Sequence, residues 1–158
     1  MDYFREHNLK IKIIRIFNTY GPNMSIDDGR VISNFILQSI NEKQLTINGN
    51  GNQTRSFQYV DDLIDGMLMM MESDNDFTGP VNMGNPFEIS MNDLASKILR
   101  LTNSNSNITF HELPIDDPKM RNPDITLAKN KFNWMPSTDL NTGLIKTIKY
   151  FKEFNEIG

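Results

Sequence analysis

The sequence contains no cysteine and only two histidines among its 158 residues. Without thiols it can form neither a disulfide nor a thiolate zinc site, and it is compatible with a reducing compartment. Two histidines are too few for a histidine-based metal centre, so we expect no metal site.

Long apolar runs are missing as well. The longest, residues 67–71, is far too short to span a bilayer, and the charged start MDYFREHN is unlike the apolar core of a signal peptide. We therefore expect no membrane segment and a cytoplasmic location. The net charge of −4, spread without runs of one sign, argues against a nucleic-acid surface.

The segments that are present alternate between strand and helix patterns. KIKIIRIF predicts a buried, parallel-type strand before a Gly-Pro turn, and VISNFILQSINE predicts a helix. RSFQYV predicts one strand, DDLIDGMLMMMES a helix, and SMNDLASKILRLTN a helix capped by Ser90 and Asp93. About five helices and five short strands in mixed order indicate an α/β or α+β fold with no internal domain boundary. A buried strand so early needs neighbours on both sides, so we expect the chain to be part of a larger protein.

A glycine pair, Gly49 and Gly51, precedes the strand RSFQYV. A dinucleotide fingerprint needs a third glycine and a helix directly afterwards, whereas here a strand follows. We predict an ordinary hairpin turn and no complete cofactor-phosphate motif.

Two arginines are candidate anion ligands. Arg55 enters a strand beside a glycine turn, where it could hold a phosphate with two hydrogen bonds or pair with Asp61 or Asp62. Arg121 lies in the loop MRNPD, where it could bind a ligand or simply be solvated.

Arg30 lies at the start of the helix VISNFILQSINE, where the helix macrodipole favours acids. We expect Asp28 to be the N-cap of this helix. Arg30 then requires either a bound anion nearby or an ion pair with Asp27 or Asp28, and the sequence leaves both possibilities open.

Taken together, five segments resemble the C-terminal half of the UDP-glucuronate decarboxylases (UDP-xylose synthases), over essentially the whole chain. They are RIFNTYGPNM, DGRVISNFI, LTINGNGNQTRSFQYVDDLIDGM, PVNMGNP and DDPKMRNPDITLAKNKFNWMP. These enzymes are extended short-chain dehydrogenases/reductases of the NAD-dependent epimerase/dehydratase family. The DGRVxSNF element points to the decarboxylases, while the other patterns are shared by many nucleotide-sugar enzymes. A 4-epimerase, a 4,6-dehydratase and a non-catalytic nucleotide-binding remnant stay as alternatives.

The resemblance implies the C-terminal part of an extended Rossmann-type fold with a small mixed α/β substrate-binding subdomain. Within the single portion 1–158, residues 1–29 would be the last helix tail and strand of the NAD-binding domain plus an active-site turn. Residues 30–158 would mainly bind the nucleotide sugar. In the implied reaction, bound NAD oxidises C4 of UDP-glucuronate, the 4-keto acid loses its carboxylate as carbon dioxide, and the returned hydride gives UDP-xylose.

The resemblance also assigns roles to residues. At the sugar end, Asn18 would contact the sugar nucleotide, Thr19 would lie close to the nicotinamide, and Arg30 would act near both in the decarboxylation step.

At the nucleotide end, the resemblance places Asn34 in the uridine pocket and makes Gln53 a neighbouring substrate contact. Arg55 and Arg121 would grip the diphosphate, a task suited to two bidentate, charge-assisted donors.

The sequence departs from the family in three respects. Asn23 stands where the family commonly has arginine, the glycine-rich NAD loop is absent, and no tyrosine is followed four residues later by lysine; Tyr3, for example, is followed by His7. We expect Tyr20 and Tyr59 to serve packing, so no proton-transferring tyrosine is identifiable. We therefore expect the chain alone to lack decarboxylase activity. The family homodimer uses a helix of which little is present, so we do not expect this chain to self-associate.

Overall fold

The computed structural model describes residues 2–7, 9–25, 28–112 and 122–155. Six helices lie within these residues: α1 Asp2–His7, α2 Val31–Ile40, α3 Val60–Glu72, α4 Met91–Thr102, α5 Thr126–Phe132 and α6 Leu140–Asn155. The same residues contain eight short strands: β1 Ile14–Ile16, β2 Thr19–Tyr20, β3 Leu45–Asn48, β4 Thr54–Ser56, β5 Gln58–Tyr59, β6 Val81–Met83, β7 Glu88–Ser90 and β8 Ile108–His111.

The strands pair two by two. β1 pairs with β6, β2 with β5 and β3 with β8, all in parallel, whereas β4 and β7 are antiparallel. Parallel pairs require crossover connections, which the intervening helices provide. The predicted α/β class is therefore confirmed.

Two local predictions are wrong, both because pairing partners lie far apart in the chain. The glycine turn at 49–51 does not close a hairpin, since β3 pairs with β8 and β4 with β7. RSFQYV is not one strand but two, β4 and β5, which join different partners. β1 is a parallel strand, as predicted; within the described residues β6 is its one partner, and Ile16 is 56 % exposed.

Two hydrophobic cores support these elements. The larger lies among α2, α4, α6 and β3, with Phe35, Ile98 and Phe151 among its fully buried side chains. The smaller lies among α3, α5 and β6, around Trp134. The larger core is the one that fixes α2 and β3 beside the candidate site, because both elements contribute buried side chains to it.

The start of α4 follows the predicted cap. Ser90 Oγ accepts a hydrogen bond from the backbone N–H of Asp93 at 3.0 Å, and the Asp93 carboxylate lies 2.6 Å from the same hydroxyl. Two local polar groups thus satisfy the helix terminus, as expected for this motif.

A buried carboxylate joins α3 to the loop before α6. Asp62 is 3 % exposed, and its oxygens accept hydrogen bonds from the backbone N–H and the hydroxyl of both Ser137 and Thr138, at 3.0–3.2 Å. Backbone donors of this kind satisfy a buried carboxylate without a cation. Asp62 therefore anchors the loop that leads into α6.

We predict that Asp62→Ala lowers the free energy of unfolding by about 1–3 kcal/mol, because the N–H and hydroxyl donors of Ser137 and Thr138 lose the buried carboxylate that accepts from all of them. Asp65→Ala, at an exposed position of the same helix, should change it by less than about 0.5 kcal/mol. Urea unfolding of both variants at neutral pH measures the difference. Equal, small effects would show that the Asp62 contacts contribute little.

Candidate functional site

A first cavity of about 240 Å³ lies beside the start of α2, the end of β3 and β4. It contains three of the predicted site residues, Asn34, Gln53 and Arg55. Asn34 Nδ2 donates to the Gly29 carbonyl at 3.0 Å, and the Gln53 amide donates to the Asn48 carbonyl. Both amides are thus held by local backbone groups at the rim of one concave surface, which we call the nucleotide-side cavity after the contacts that the resemblance implies.

A second cavity of about 360 Å³ adjoins the first, because Val31 and Arg55 line both. It also contains Asn18, Thr19 and Arg30. Asn18 Nδ2 donates to the Ser56 carbonyl at 3.1 Å, which fixes the turn between β1 and β2 against β4. We call this second space the sugar-side cavity, again after the contacts that the resemblance implies.

Arg55 forms the wall between the two cavities. It lies on β4, opposite Ile89 of β7, is 9 % exposed, and donates from Nη1 to the Thr54 carbonyl at 2.7 Å. A largely buried guanidinium at the junction of two cavities can reach a ligand that occupies both. Asp62, which the sequence left open as an ion-pair partner of Arg55, accepts hydrogen bonds from the hydroxyls of Ser137 and Thr138.

The start of α2 differs from the prediction. The N-cap is Arg30, with extended φ and ψ of −77° and 158°, and its side chain makes no capping bond. Asp28, predicted as the cap, lies two residues earlier and cannot take that position. Its carboxylate nevertheless accepts from the Arg30 N–H at 3.0 Å and from the Ser33 hydroxyl, so it supports the helix start from outside.

Arg30 pairs with that same carboxylate. Its Nε lies 3.1 Å from Asp28 Oδ2, outside hydrogen-bond geometry, and its Nη1 donates to the Thr19 carbonyl at 3.3 Å. The sequence left open a bound anion or an ion pair with Asp27 or Asp28, and the structure contains the ion pair with Asp28. The Arg30 side chain is 64 % exposed, so these contacts leave much of the guanidinium open to the cavity.

The structure brings together six of the seven predicted site residues; the seventh, Arg121, lies outside the described residues. Asn23, where the family commonly has arginine, has a φ of 65° in the turn after β2. Asparagine tolerates this left-handed conformation better than most residues, which gives the departure a local reason.

The two tyrosines near the site serve packing, as predicted. Tyr20 is 2 % exposed and meets Tyr59 edge to face, with 5.8 Å between ring centroids. Burial and the neighbouring Tyr59 raise the pKa of Tyr20 well above its usual value, and burial also raises the pKa of Tyr59. Raised pKa values are the opposite of what a general base requires.

Sequence reasoning missed Gln58, which is fully buried and donates to Thr19 Oγ1 at 2.9 Å. No motif or periodicity singles out one glutamine in a strand.

A further cavity of about 410 Å³, between Phe87 and Ser137, contains none of the predicted site residues.

Within the described ranges, no cluster of acidic or histidine side chains is placed to bind a metal ion. The same part of the chain contains no helix that combines the length and hydrophobicity needed to cross a membrane.

Fold and site define the chain as part of a Rossmann-type α/β protein with a cleft of two adjoining cavities. Residues 1–84 match the model of the NAD dependent epimerase/dehydratase family. The chain belongs to this family, as the resemblance implied.

The chain is 47 % identical over 153 residues to UDP-glucuronic acid decarboxylase 2 of Arabidopsis thaliana, covering 97 % of this chain and 34 % of that protein. It thus spans about a third of the length of this curated relative.

Two solved structures share the fold. UDP-glucuronic acid 4-epimerase of Bacillus cereus, in complex with UDP-glucuronic acid and NAD, gives a TM-score of 0.86 at 29 % identity, over 97 % of this chain and 48 % of that one. UDP-glucose 4-epimerase of Thermotoga maritima with UDP-glucose gives 0.88 at 26 % identity, over 98 % and 50 %.

We predict that Asp28→Ala destabilises the chain by about 1–2 kcal/mol, since the Arg30 N–H loses its acceptor and the Ser33 hydroxyl keeps only the Arg30 carbonyl. Asp28→Asn, which keeps an acceptor oxygen and loses only the ion pair with the largely exposed Arg30 side chain, should cost about 0.2–1 kcal/mol. Thermal unfolding combined with amide hydrogen exchange in the first turn of α2 measures both. Identical losses in the two variants would mean that charge, not hydrogen bonding, supports the helix start.

Proposed function

We propose that this chain binds the nucleotide sugar in a UDP-glucuronate decarboxylase, which forms UDP-xylose through a 4-keto intermediate with bound NAD. One observation carries the proposal: Arg55 separates two adjoining cavities, and the resemblance assigns nucleotide contacts to one and sugar contacts to the other. The identity to a decarboxylase over nearly the whole chain supports the choice of activity.

The two cavities suit the two ends of a UDP-sugar. A diphosphate at Arg55 would extend toward the amides of Asn34 and Gln53 on one side and toward Asn18 and Arg30 on the other. Arginine favours this position, because its planar fork binds phosphate oxygens with two parallel hydrogen bonds. Arg121 remains, by resemblance, the second diphosphate ligand.

Arg30 is proposed to act on the sugar side. Its exposed guanidinium lines the sugar-side cavity while Asp28 and the Thr19 carbonyl hold two of its nitrogens. A cation held in this way can orient the carboxylate of glucuronate before the ketone at C4 accepts the electrons that carbon dioxide leaves behind.

Thr19 and Arg30 are the residues proposed to face NAD, which supplies oxidation at C4 and returns the hydride. The residues fit its nicotinamide end: both line the sugar-side cavity, and Asp28 balances the charge of Arg30 beside a ring that is itself cationic. The glycine-rich element that would bind the pyrophosphate of NAD is not in this sequence.

A 4-epimerase is the second candidate, because the solved neighbours are UDP-sugar 4-epimerases. The two activities share the first oxidation and differ in product. UDP-xylose identifies a decarboxylase, whereas UDP-galacturonate identifies an epimerase.

We predict that Arg55→Ala weakens UDP binding about tenfold to a hundredfold, since it removes charge-assisted hydrogen bonds to the diphosphate. Lys149→Ala, which removes an equal charge from an exposed position of α6, should leave the affinity unchanged. Isothermal titration calorimetry with UDP measures both. Equal affinities of the wild type and Arg55→Ala would contradict the diphosphate assignment.

We also expect the 158-residue chain, given UDP-glucuronate and NAD, to release no UDP-xylose, because it contains no Tyr-x-x-x-Lys pair. Chromatography of the nucleotide sugars measures this. UDP-xylose formation would show that another group transfers the C4 hydroxyl proton, and UDP-galacturonate would favour the epimerase.

A further inference from the structure

Gln58 lies fully buried where three strands meet. Its Nε2 donates to the Met83 carbonyl of β6 at 3.0 Å and to Thr19 Oγ1 of β2 at 2.9 Å. Its backbone N–H donates to the Asn18 carbonyl at 2.9 Å. One residue of β5 thus holds the turn that carries two residues of the sugar-side cavity.

The contacts fix the orientation of the Gln58 amide. The Met83 carbonyl can only accept, so the atom that faces it must be the nitrogen. Both hydrogens of Nε2 are then used, and Oε1 has no hydrogen-bond donor among the described residues. A buried acceptor without a donor is costly, and an apolar side chain would avoid that cost. Gln58 provides what an apolar side chain would not, namely the two hydrogen bonds that its amide donates to Thr19 and Met83.

Thr19 is constrained from two directions. Its hydroxyl donates to the Phe17 carbonyl at 2.8 Å, which uses its single proton, and it accepts from Gln58 Nε2, which uses one lone pair. One lone pair remains on a half-buried side chain that lines the sugar-side cavity. The Thr19 hydroxyl can therefore accept a hydrogen bond from a ligand but cannot donate one to it.

We propose that Gln58 is a positioning residue that fixes Thr19 as a hydrogen-bond acceptor, so that Thr19 binds a neutral O–H or N–H donor of the ligand. A phosphate or carboxylate oxygen is excluded at Thr19, and the arginines bind these anions. The identity of the ligand rests on the proposed function. The donor is either a sugar hydroxyl of UDP-glucuronate or the carboxamide N–H of NAD.

Calorimetry on the wild type, Thr19→Val, Gln58→Met and the double variant tests this. UDP-glucuronate is compared with UDP, and NAD with its nicotinic acid analogue, which has a carboxylate in place of the carboxamide. Thr19→Val should weaken the binding of either UDP-glucuronate or NAD about threefold to tenfold, and should leave the binding of the ligand paired with it unchanged. A loss for UDP-glucuronate but not UDP assigns the sugar hydroxyl, and a loss for NAD but not its analogue assigns the carboxamide. Gln58→Met should weaken the same ligand, and the double variant should bind no worse than Thr19→Val.

Thr147→Val is the control, because Thr147 is as fully buried as Gln58, donates to the Gly143 carbonyl at 2.8 Å and lines neither cavity. It should lower the melting temperature and leave all affinities unchanged. Unchanged affinity ratios in Thr19→Val and Gln58→Met, with wild-type binding of UDP intact, would overturn this inference alone. Absence of UDP binding by the folded wild type would overturn the proposed function and this inference with it.

Discussion

The candidate site depends on the antiparallel pairing of β4 with β7, which holds a cation in a largely buried position. The register places Arg55 opposite Ile89, so its side chain forms the wall shared by the two cavities. Because the guanidinium is always charged, a site built around it favours anionic ligands. In the proposed binding mode the diphosphate lies at Arg55, and the amides on either side would contact uncharged parts of the ligand.

Arg30 shows how the chain accommodates a cation at a helix start. The macrodipole disfavours it there, but Asp28 lies two residues earlier and contacts both its backbone N–H and its Nε. The same carboxylate therefore supports the helix and restrains the arginine. The exposed remainder of the guanidinium is available to a ligand without leaving an unpaired charge in the free chain.

Local signals in the sequence predicted much of the fold. The periodicity of VISNFILQSINE and the Ser90–Asp93 pair predicted α2 and the start of α4 correctly. Pairing was not predictable: no local pattern indicates that β3 pairs with β8, 63 residues away along the chain, rather than with the nearby β4. For the same reason, the anchoring of Ser137 by Asp62 had no signal in the sequence. The site residues were predicted from the motif resemblance, and six of them line the two adjoining cavities. The role of Gln58 could be inferred only from its hydrogen bonds in the structure.

The most direct test of the central claim is a ¹⁵N-resolved NMR titration of the chain with UDP-glucuronate. If the ligand spans both cavities, saturable shift changes will appear at the backbone amides of Thr19, Asn34 and Arg55, with little change at Phe87 and Ser137. Changes confined to the cavity between Phe87 and Ser137, or no saturable change in the folded chain, would contradict it.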